Sequence, residues 1–305
     1  MWDRDKDGSH DAMGSVSTTL RQILLLSKVP VAEQKGLPVI ETLTKRGKTK
    51  QKNSGNLYIR EGTGVYKYHT FLDFIRDGWK LGQIIGIDFT GSNGNPASPS
   101  SLHYRNPHGV PNQYEMAITA LAEVITAYDD DQIYPLYGFG GRGGAQNKVS
   151  HCFPLNGSDE SPGVHGVDGI LAAYAEALTK WGLSGPTVFS QIINAAAASA
   201  KAEESRNEKA YTLLLIITDG VITDFEATKE AIVAASGLPL SIIIVGVGEA
   251  DFSAMEALDG DDERLADQHG RRAKRDIVQV SFPDFLTSTL LSNFQYPCDG
   301  SSFLK

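Results

Sequence analysis

The sequence predicts an α/β fold with a doubly wound, mostly parallel six-stranded sheet over residues 67–292. Short apolar segments typical of buried strands alternate there with longer segments whose apolar residues recur at helical spacing. Connections that contain a helix join parallel strands, whereas an antiparallel pair needs only a short turn. Residues 1–66 are instead rich in strand-like and turn-forming segments, which predicts a separate all-β unit.

The elements of this fold can be placed in chain order. Five apolar segments predict parallel strands at 82–87, 133–138, 212–217, 240–247 and 276–281, and 149–155 predicts an antiparallel edge strand. Four helices are predicted at 117–128, at 164–181, from near residue 187 through 202, and after Asp224, which is the predicted N-cap of the last one. In the first unit we expect strands at 36–43 and 56–59, and residues 293–305 form a C-terminal tail.

The composition excludes several classes of protein. The net charge of −9 is unfavourable for a general nucleic-acid binder. Only Cys152 and Cys298 occur, which excludes a disulfide framework and a cysteine zinc cluster. No apolar run approaches the roughly 18 residues of a spanning helix, and the acidic start is unlike a signal peptide, so we expect a cytoplasmic protein. The sequence has no phosphate loop, nucleophile elbow or kinase signature, and we expect no enzyme.

Oxygen-bearing side chains follow two of the predicted strands. Asp88, Thr90 and Ser92 lie where the chain leaves the strand at 82–87, and Asp219 closely follows the strand at 212–217. Because ligands bind beyond the carboxyl ends of parallel strands, we expect these groups to converge, with Thr187 as a further hydroxyl. Two carboxylates and three hydroxyls suit a hard divalent cation, Mg²⁺ before Ca²⁺. The alternative is a separate capping or turn role for each residue.

Two further patterns have simpler interpretations. Gly138-x-Gly140-x-x-Gly143 matches the dinucleotide-binding fingerprint, but no helix is predicted after it, so a flexible turn is the better interpretation. His103 and His108 have a spacing seen in zinc sites, but they have no cysteine partner, and we expect a solvated loop.

A basic connection joins the two strands predicted in the first unit. It contains Lys45, Arg46, Lys48, Lys50 and Lys52. It is either a solvated hairpin loop or a segment that meets acidic lipid headgroups, which attract each Lys or Arg by about 1 kcal/mol.

The segment Asp88-Phe89-Thr90-Gly91-Ser92 resembles the metal-ion-dependent adhesion site (MIDAS) of von Willebrand factor A domains, which is Asp-x-Ser-x-Ser with a distant Thr and Asp. Thr90 replaces the first Ser and retains the hydroxyl. From residue 1 to about residue 285 the sequence resembles the copine family. The segments that carry this resemblance are IDFTGSNGNP at 87–96, NQYEMAI at 112–118, VSHCFPLN at 149–156 and MEALDGDD at 255–262.

The resemblance implies a copine-type von Willebrand factor A domain at 67–292, preceded by the C-terminal fragment of a C2 domain at 1–66. It implies a calcium-dependent phospholipid-binding signalling and membrane-trafficking adaptor, cytoplasmic and peripheral at the plasma membrane in response to calcium. Its A domain would recruit intracellular proteins that present an Asp or Glu to bound Mg²⁺ or Mn²⁺. The implied ligands of that ion are Asp88, Thr90, Ser92, Thr187 and Asp219.

The start of the chain resembles a C2 calcium loop, and the resemblance implies Ca²⁺ ligation by Asp3, Asp5 and Asp11. An EF-hand would need a Glu where Gly14 stands, and a solvated turn is the other interpretation. We expect weak binding to acidic phospholipid, because the sequence lacks the partner calcium loop. Two other functions stay open: a ubiquitin ligase related to plant copine-like RING proteins, which would need RING cysteines that this sequence lacks, and a truncated, non-functional copine fragment.

Overall fold

A computed structural model describes residues 15–45, 48–60, 71–125, 129, 131–144, 146–260 and 264–281 of the protein. The chain divides into two compact units, Met1–Tyr68 and His69–Lys305. Among the helices described in these ranges, none is both long and apolar enough to cross a lipid bilayer.

The first unit contains a helix followed by a two-stranded antiparallel hairpin. Its elements are α1 (Leu20–Leu26), a 3-10 helix (Val31–Glu33), β1 (Leu37–Lys45) and β2 (Lys48–Leu57). Helix α1 is not predicted from the sequence, because seven residues are too few to show a helical period. Strand β2 begins earlier than predicted, at Lys48 rather than at residue 56. Lys48, Lys50 and Lys52 lie in an exposed strand rather than in a hairpin loop, and this polar strand has no apolar alternation to reveal it.

The second unit alternates strands and helices. Its elements are α2 (Phe71–Arg76), β3 (Lys80–Asp88), a 3-10 helix (Gly91–Asn93), α3 (Gln113–Ile125), β4 (Ile133–Phe139), β5 (Gly141–Gly143), β6 (Lys148–Ser150), β7 (Phe153–Pro154), β8 (Gly163–His165), α4 (Gly166–Lys180), β9 (Gly182–Leu183), α5 (Ser190–Ser205), β10 (Ala210–Thr218), α6 (Phe225–Ala235), β11 (Leu240–Gly246), α7 (Ser253–Glu256) and β12 (Val278–Ser281). The five predicted parallel strands and the four predicted helices are confirmed, with ends that differ by a few residues.

The main sheet has the order β12-β11-β10-β3-β4, and every neighbouring pair in this row is parallel. Beyond β4, the sixth position is shared by two short antiparallel strands, because β8 pairs with the first half of β4 and β7 with the second half. The mostly parallel α/β sheet is therefore confirmed. The edge strand predicted at 149–155 is only partly correct, since only Phe153–Pro154 joins the main sheet, while β6 pairs with β5 in a small separate sheet.

Strand β10 shows why the sheet is buried on both faces. Leu213, Leu215 and Ile217 pack into the core cluster that includes residues of α3 and α4. Leu214 and Ile216 point to the opposite face and pack with residues of α5 and α6. A central parallel strand covered by helices on both sides is apolar throughout, which is the signal that identified it in the sequence.

The starts of helices α5 and α6 determine how the chain is arranged near the carboxyl ends of the strands. Helix α5 begins at Ser190 rather than near residue 187, so Thr187 lies on the loop before it. Asp224 stands at the predicted N-cap of α6, but its side chain makes no capping bond to that helix. Its carboxylate instead accepts hydrogen bonds from the backbone N–H of Phe189 and Ser190, at 3.0 and 3.1 Å. Asp224 is therefore the N-cap residue of α6, as predicted, and its carboxylate also holds the start of α5.

Candidate metal site

Parallel register brings the first candidate group to the carboxyl edge of the sheet. Strands β3 and β10 pair up to Ile87 and Ile217, so Asp88 and Thr218 end neighbouring strands at the same level. Asp88 is fully buried. Its Oδ1 accepts a 2.7 Å hydrogen bond from the Thr90 N–H, and its Oδ2 accepts one of 2.5 Å from Thr218 Oγ1. This carboxylate therefore has a fixed orientation.

A chain of hydroxyl groups joins this strand end to the second carboxylate. Thr90 Oγ1 lies 2.8 Å from Ser92 Oγ, and Ser92 Oγ donates a 2.8 Å hydrogen bond to Asp219 Oδ1. The Ser92 hydroxyl is used as a donor, so Thr90 is the donor to Ser92. Thr90 and Asp219 are buried and Ser92 is exposed, so the site opens to solvent at Ser92.

Thr187 reaches the same place from the loop before α5. A Cβ atom at Gly220 would lie 3.2 Å from Thr187 Oγ1 and 3.4 Å from Ser92 Oγ, so both hydroxyls surround this glycine. The backbone of the Thr187 loop is attached by the Thr223 N–H, which donates to the Thr187 carbonyl at 2.9 Å. The structure thus brings all five predicted side chains of the second unit together.

Gly140 leaves room for the Thr90 side chain at the candidate site. Gly140 has a φ of +73°, and a Cβ atom there would overlap Thr90 Cγ2. The positive φ and the close approach both require a residue without a side chain. No helix follows this segment, because β5 is followed by β6, which pairs with it. The flexible turn predicted for Gly138-x-Gly140-x-x-Gly143 is nevertheless wrong, since Gly138 lies in β4 and Gly141–Gly143 form β5, with Gly140 between the two strands.

The charges of the site are uncompensated within the described chain. Burial, and then the charge of Asp219, raises the pKa of Asp88 to about 7. Burial also raises the pKa of Asp219. No ion pair with a Lys, Arg or His is formed by either carboxylate in the part of the chain that the structure describes. A cation would relieve the repulsion and the desolvation of both groups, so the residues present fit a divalent metal ion.

Hydroxyl groups are essential to any such metal site. Within the described residues, no group of three or more His, Cys, Asp or Glu side chains is placed to hold a metal ion. The donor set here is two carboxylates with Thr90, Ser92 and Thr187, a hard all-oxygen set of low charge that suits Mg²⁺ or Mn²⁺. The candidate calcium ligands Asp3, Asp5 and Asp11 lie outside the described residues.

Several polar groups that surround the carboxylates are not predicted from the sequence, and the prediction for one of them, His103, is wrong. His103 is not a solvated loop residue: its side chain is fully buried, with Nε2 at 2.9 Å from the Asp88 carbonyl oxygen. His108 is exposed, as expected. Asn93 and Thr218 contact the carboxylates directly, at 3.0 Å from Asp219 and 2.5 Å from Asp88. Asn93 directly follows Ser92 in the sequence, and this adjacency was the one available signal.

The fold and the donor cluster together define a doubly wound α/β domain of the von Willebrand factor A type. A sequence profile of the copine family matches residues 101–295. A curated relative, Protein BONZAI 1 of Arabidopsis thaliana, is 45% identical over 278 residues, which cover 91% of this chain and 47% of that protein. The chain belongs to the copine family. It spans about half the length of the curated relative that it matches.

Solved structures share the fold only distantly. The manganese-loaded TRAP protein of Plasmodium vivax has a TM-score of 0.43 and 14% identity, and the match covers 70% of this chain and 72% of that one. Proximal thread matrix protein 1 of the mussel byssus has a TM-score of 0.41 and 14% identity, with 70% and 46% covered. Similarity at this level says nothing about what this chain binds.

Proposed function

We propose that this chain acts in a copine-type adaptor and recruits a protein partner through a divalent metal ion held at the carboxyl edge of its sheet. One observation carries the proposal: Asp88 and Asp219 are two buried carboxylates, linked through Thr90 and Ser92, with no ion-pair partner among the described residues. Membership of the copine family supports the adaptor role.

The residues of the candidate metal site would have different roles. Asp88 and Asp219 supply the negative charge, and Thr90, Ser92 and Thr187 supply hydroxyl oxygens directly or through water. Ser92 is the exposed member, so a partner approaches on its side. When bound, Mg²⁺ or Mn²⁺ supplies a positive charge that accepts a carboxylate from outside. An exposed Asp or Glu of the partner is the group with the matching chemistry.

Family membership supports a second part of the proposal, which concerns the membrane. We propose that the whole protein binds acidic phospholipid in a calcium-dependent way, at the cytoplasmic face of the plasma membrane, with Asp3, Asp5 and Asp11 in a C2-type calcium loop. Sedimentation with phosphatidylserine vesicles, with and without Ca²⁺, tests this. Calcium-dependent pelleting that persists unchanged after Asp3→Asn and Asp5→Asn would remove these residues from the proposal.

A capture experiment tests partner recruitment. The 305-residue chain, its Asp88→Ala and Ser92→Ala double variant and a control Asp168→Ala variant are each used as bait in Mg²⁺ and in EDTA. Asp168 is an exposed carboxylate at the start of α4, where β4 begins, at the opposite edge of the sheet. We expect partners that are retained by the wild type and the control in Mg²⁺ only. Identical partners for all baits in both conditions would show that recognition uses another surface.

A further inference from the structure

Asn93 occupies the space between the two carboxylates. Its side chain is 1% exposed. Nδ2 lies 3.0 Å from Asp219 Oδ1 and 3.4 Å from Asp88 Oδ1, and it also lies 3.3 Å from the Thr90 carbonyl oxygen. The amide is thus a neutral donor that faces both acidic groups at once. Its contacts hold the two strand ends together without contributing charge.

The orientation of this amide is determined by its surroundings. All three neighbours of Nδ2 are acceptors, so the opposite orientation would place Oδ1 against them. On the other side, Tyr114 Oη donates a 2.7 Å hydrogen bond to Asn93 Oδ1. Tyr114 is fully buried, so its hydroxyl has little freedom to move away. Tyr114 therefore reinforces the orientation in which Asn93 faces the carboxylates with N–H groups.

A second buried group supports Tyr114. The ring of His103 stacks on the Tyr114 ring at 4.2 Å and 21°. His103 Nε2 donates to the Asp88 carbonyl oxygen, which can only accept, so Nδ1 is the acceptor for the Tyr174 hydroxyl at 2.7 Å. Burial lowers the pKa of His103 to about 3, so the ring stays neutral. Asn93, Tyr114 and His103 form one connected support behind the carboxylates.

We propose that Asn93 is the positioning residue of the metal site, and that Tyr114 fixes which face of its amide meets Asp88 and Asp219. This inference rests on the proposed function. Asn93 keeps the two carboxylates at a separation that suits a small cation while the ion is absent. Because it is neutral, it also limits the site to two negative charges, which favours Mg²⁺ or Mn²⁺ over Ca²⁺.

Three substitutions separate positioning from simple packing. Asn93→Leu keeps a side chain of similar size but removes the donor, and we expect Mn²⁺ to bind about 10–100-fold more weakly, as for other residues that orient metal ligands. Tyr114→Phe removes only the hydroxyl, and we expect a loss of about tenfold. Asn93→Asp adds a third carboxylate, and we expect the preference to shift towards Ca²⁺ by about tenfold.

The affinities for Mn²⁺, Mg²⁺ and Ca²⁺ are measured by isothermal titration calorimetry with the 305-residue chain and its variants. The melting temperature of each variant is measured without metal. Tyr211→Phe is the matched control: its hydroxyl lies 2.6 Å from Ser241 Oγ, and the residue pairs with Leu81 near the start of β3, away from the strand ends of the site. The control should bind Mn²⁺ as the wild type does, even if it melts at a lower temperature.

The outcomes distinguish this inference from the function on which it rests. A wild type that binds none of the three ions overturns both. A wild type that binds Mn²⁺, with Asn93→Leu and Tyr114→Phe variants of unchanged affinity and lower melting temperature, makes these two residues ordinary core residues and overturns only the inference. If the Asn93→Leu variant does not fold, the other two variants decide. An unchanged Mn²⁺ affinity of Tyr114→Phe, together with no shift of Asn93→Asp towards Ca²⁺, overturns the inference.

Discussion

Ser92 Oγ donates a 2.8 Å hydrogen bond to Asp219 Oδ1 across 127 residues of the chain. The bond joins the loops that leave two neighbouring parallel strands, β3 and β10. It connects the exposed member of the candidate site to a buried carboxylate. A substitution of Ser92 or of Asp219 should therefore disturb the other residue. The affinity for a metal ion is for that reason a sensitive measure of the whole site.

Asp219→Ala should abolish stabilisation by metal. An ion that binds only the folded protein at about 100 times its dissociation constant adds about 2.7 kcal/mol. For a domain of this size that corresponds to a rise in melting temperature of about 5–10 °C. We expect this rise in Mg²⁺ or Mn²⁺ for the wild type and for the Asp168→Ala control, measured by thermal denaturation. An Asp219→Ala variant that keeps the full rise would show that the ion binds elsewhere.

The stability of the metal-free protein should fall as the pH rises. Burial and the charge of Asp219 raise the pKa of Asp88 to about 7, whereas the unfolded value is about 3.9. The protonated form is therefore favoured by folding, and its contribution is complete below about pH 4 and is lost as the pH rises through about 7. Mg²⁺ needs the ionised carboxylate, so its stabilising effect should be larger at pH 7.5 than at pH 5.

The Asp88→Asn variant is the control for this pH dependence, because its amide does not titrate. Melting temperatures in EDTA between pH 5 and pH 8 should decline less steeply for the variant than for the wild type. Parallel curves for the two proteins would assign the dependence to other groups.

An exposed apolar side chain beside the site should contribute to partner binding. Val221 follows Asp219 by two residues and is 54% exposed. We expect Val221→Asp to lower the affinity of a partner captured in Mg²⁺ by about tenfold, or about 1.4 kcal/mol, because it places a like charge next to the carboxylate of the partner. Ile133, 51% exposed where β4 begins, is the matched control at the opposite edge of the sheet. The affinities are measured in surface binding assays. Equal losses of affinity for Val221→Asp and Ile133→Asp would show that Val221 is not part of the interface.

Asp224→Ala should loosen the Thr187 loop. The variant loses bonds from the backbone N–H of Phe189 and Ser190 and from Thr228 Oγ1. We expect a cost of about 1–2 kcal/mol, as for the loss of a helix cap, and a melting temperature lower by about 2–8 °C. Mn²⁺ affinity should also fall, because Thr187 precedes this helix start. Asp224→Asn keeps one acceptor oxygen and should therefore lose less stability. A larger loss of stability in Asp224→Asn than in Asp224→Ala would contradict the role of Asp224 in holding the Thr187 loop.

The sheet and the two candidate carboxylate ligands of the site could be predicted from the sequence. Buried parallel strands such as β10 and β11 are continuous apolar runs, and the helices between them show the helical period, so their order and type could be predicted. Asp88 and Asp219 follow directly from this, because the carboxyl ends of parallel strands lie at one edge. The short helix α1 and the polar strand β2 could not be predicted, since neither has a long enough apolar pattern.

The groups that surround those carboxylates depend on long-range packing. The sequence places His103 in a polar, proline-containing segment, yet the folded chain buries it against Asp88 and Tyr174, because hydrogen bonds from other elements satisfy both of its ring nitrogens. Asp224 could be placed at the start of α6, but only the fold shows that its carboxylate also binds the start of α5. Such contacts join residues far apart in the chain, and local propensity contains no information about them. The roles of Asn93 and Tyr114 depend on this same long-range packing.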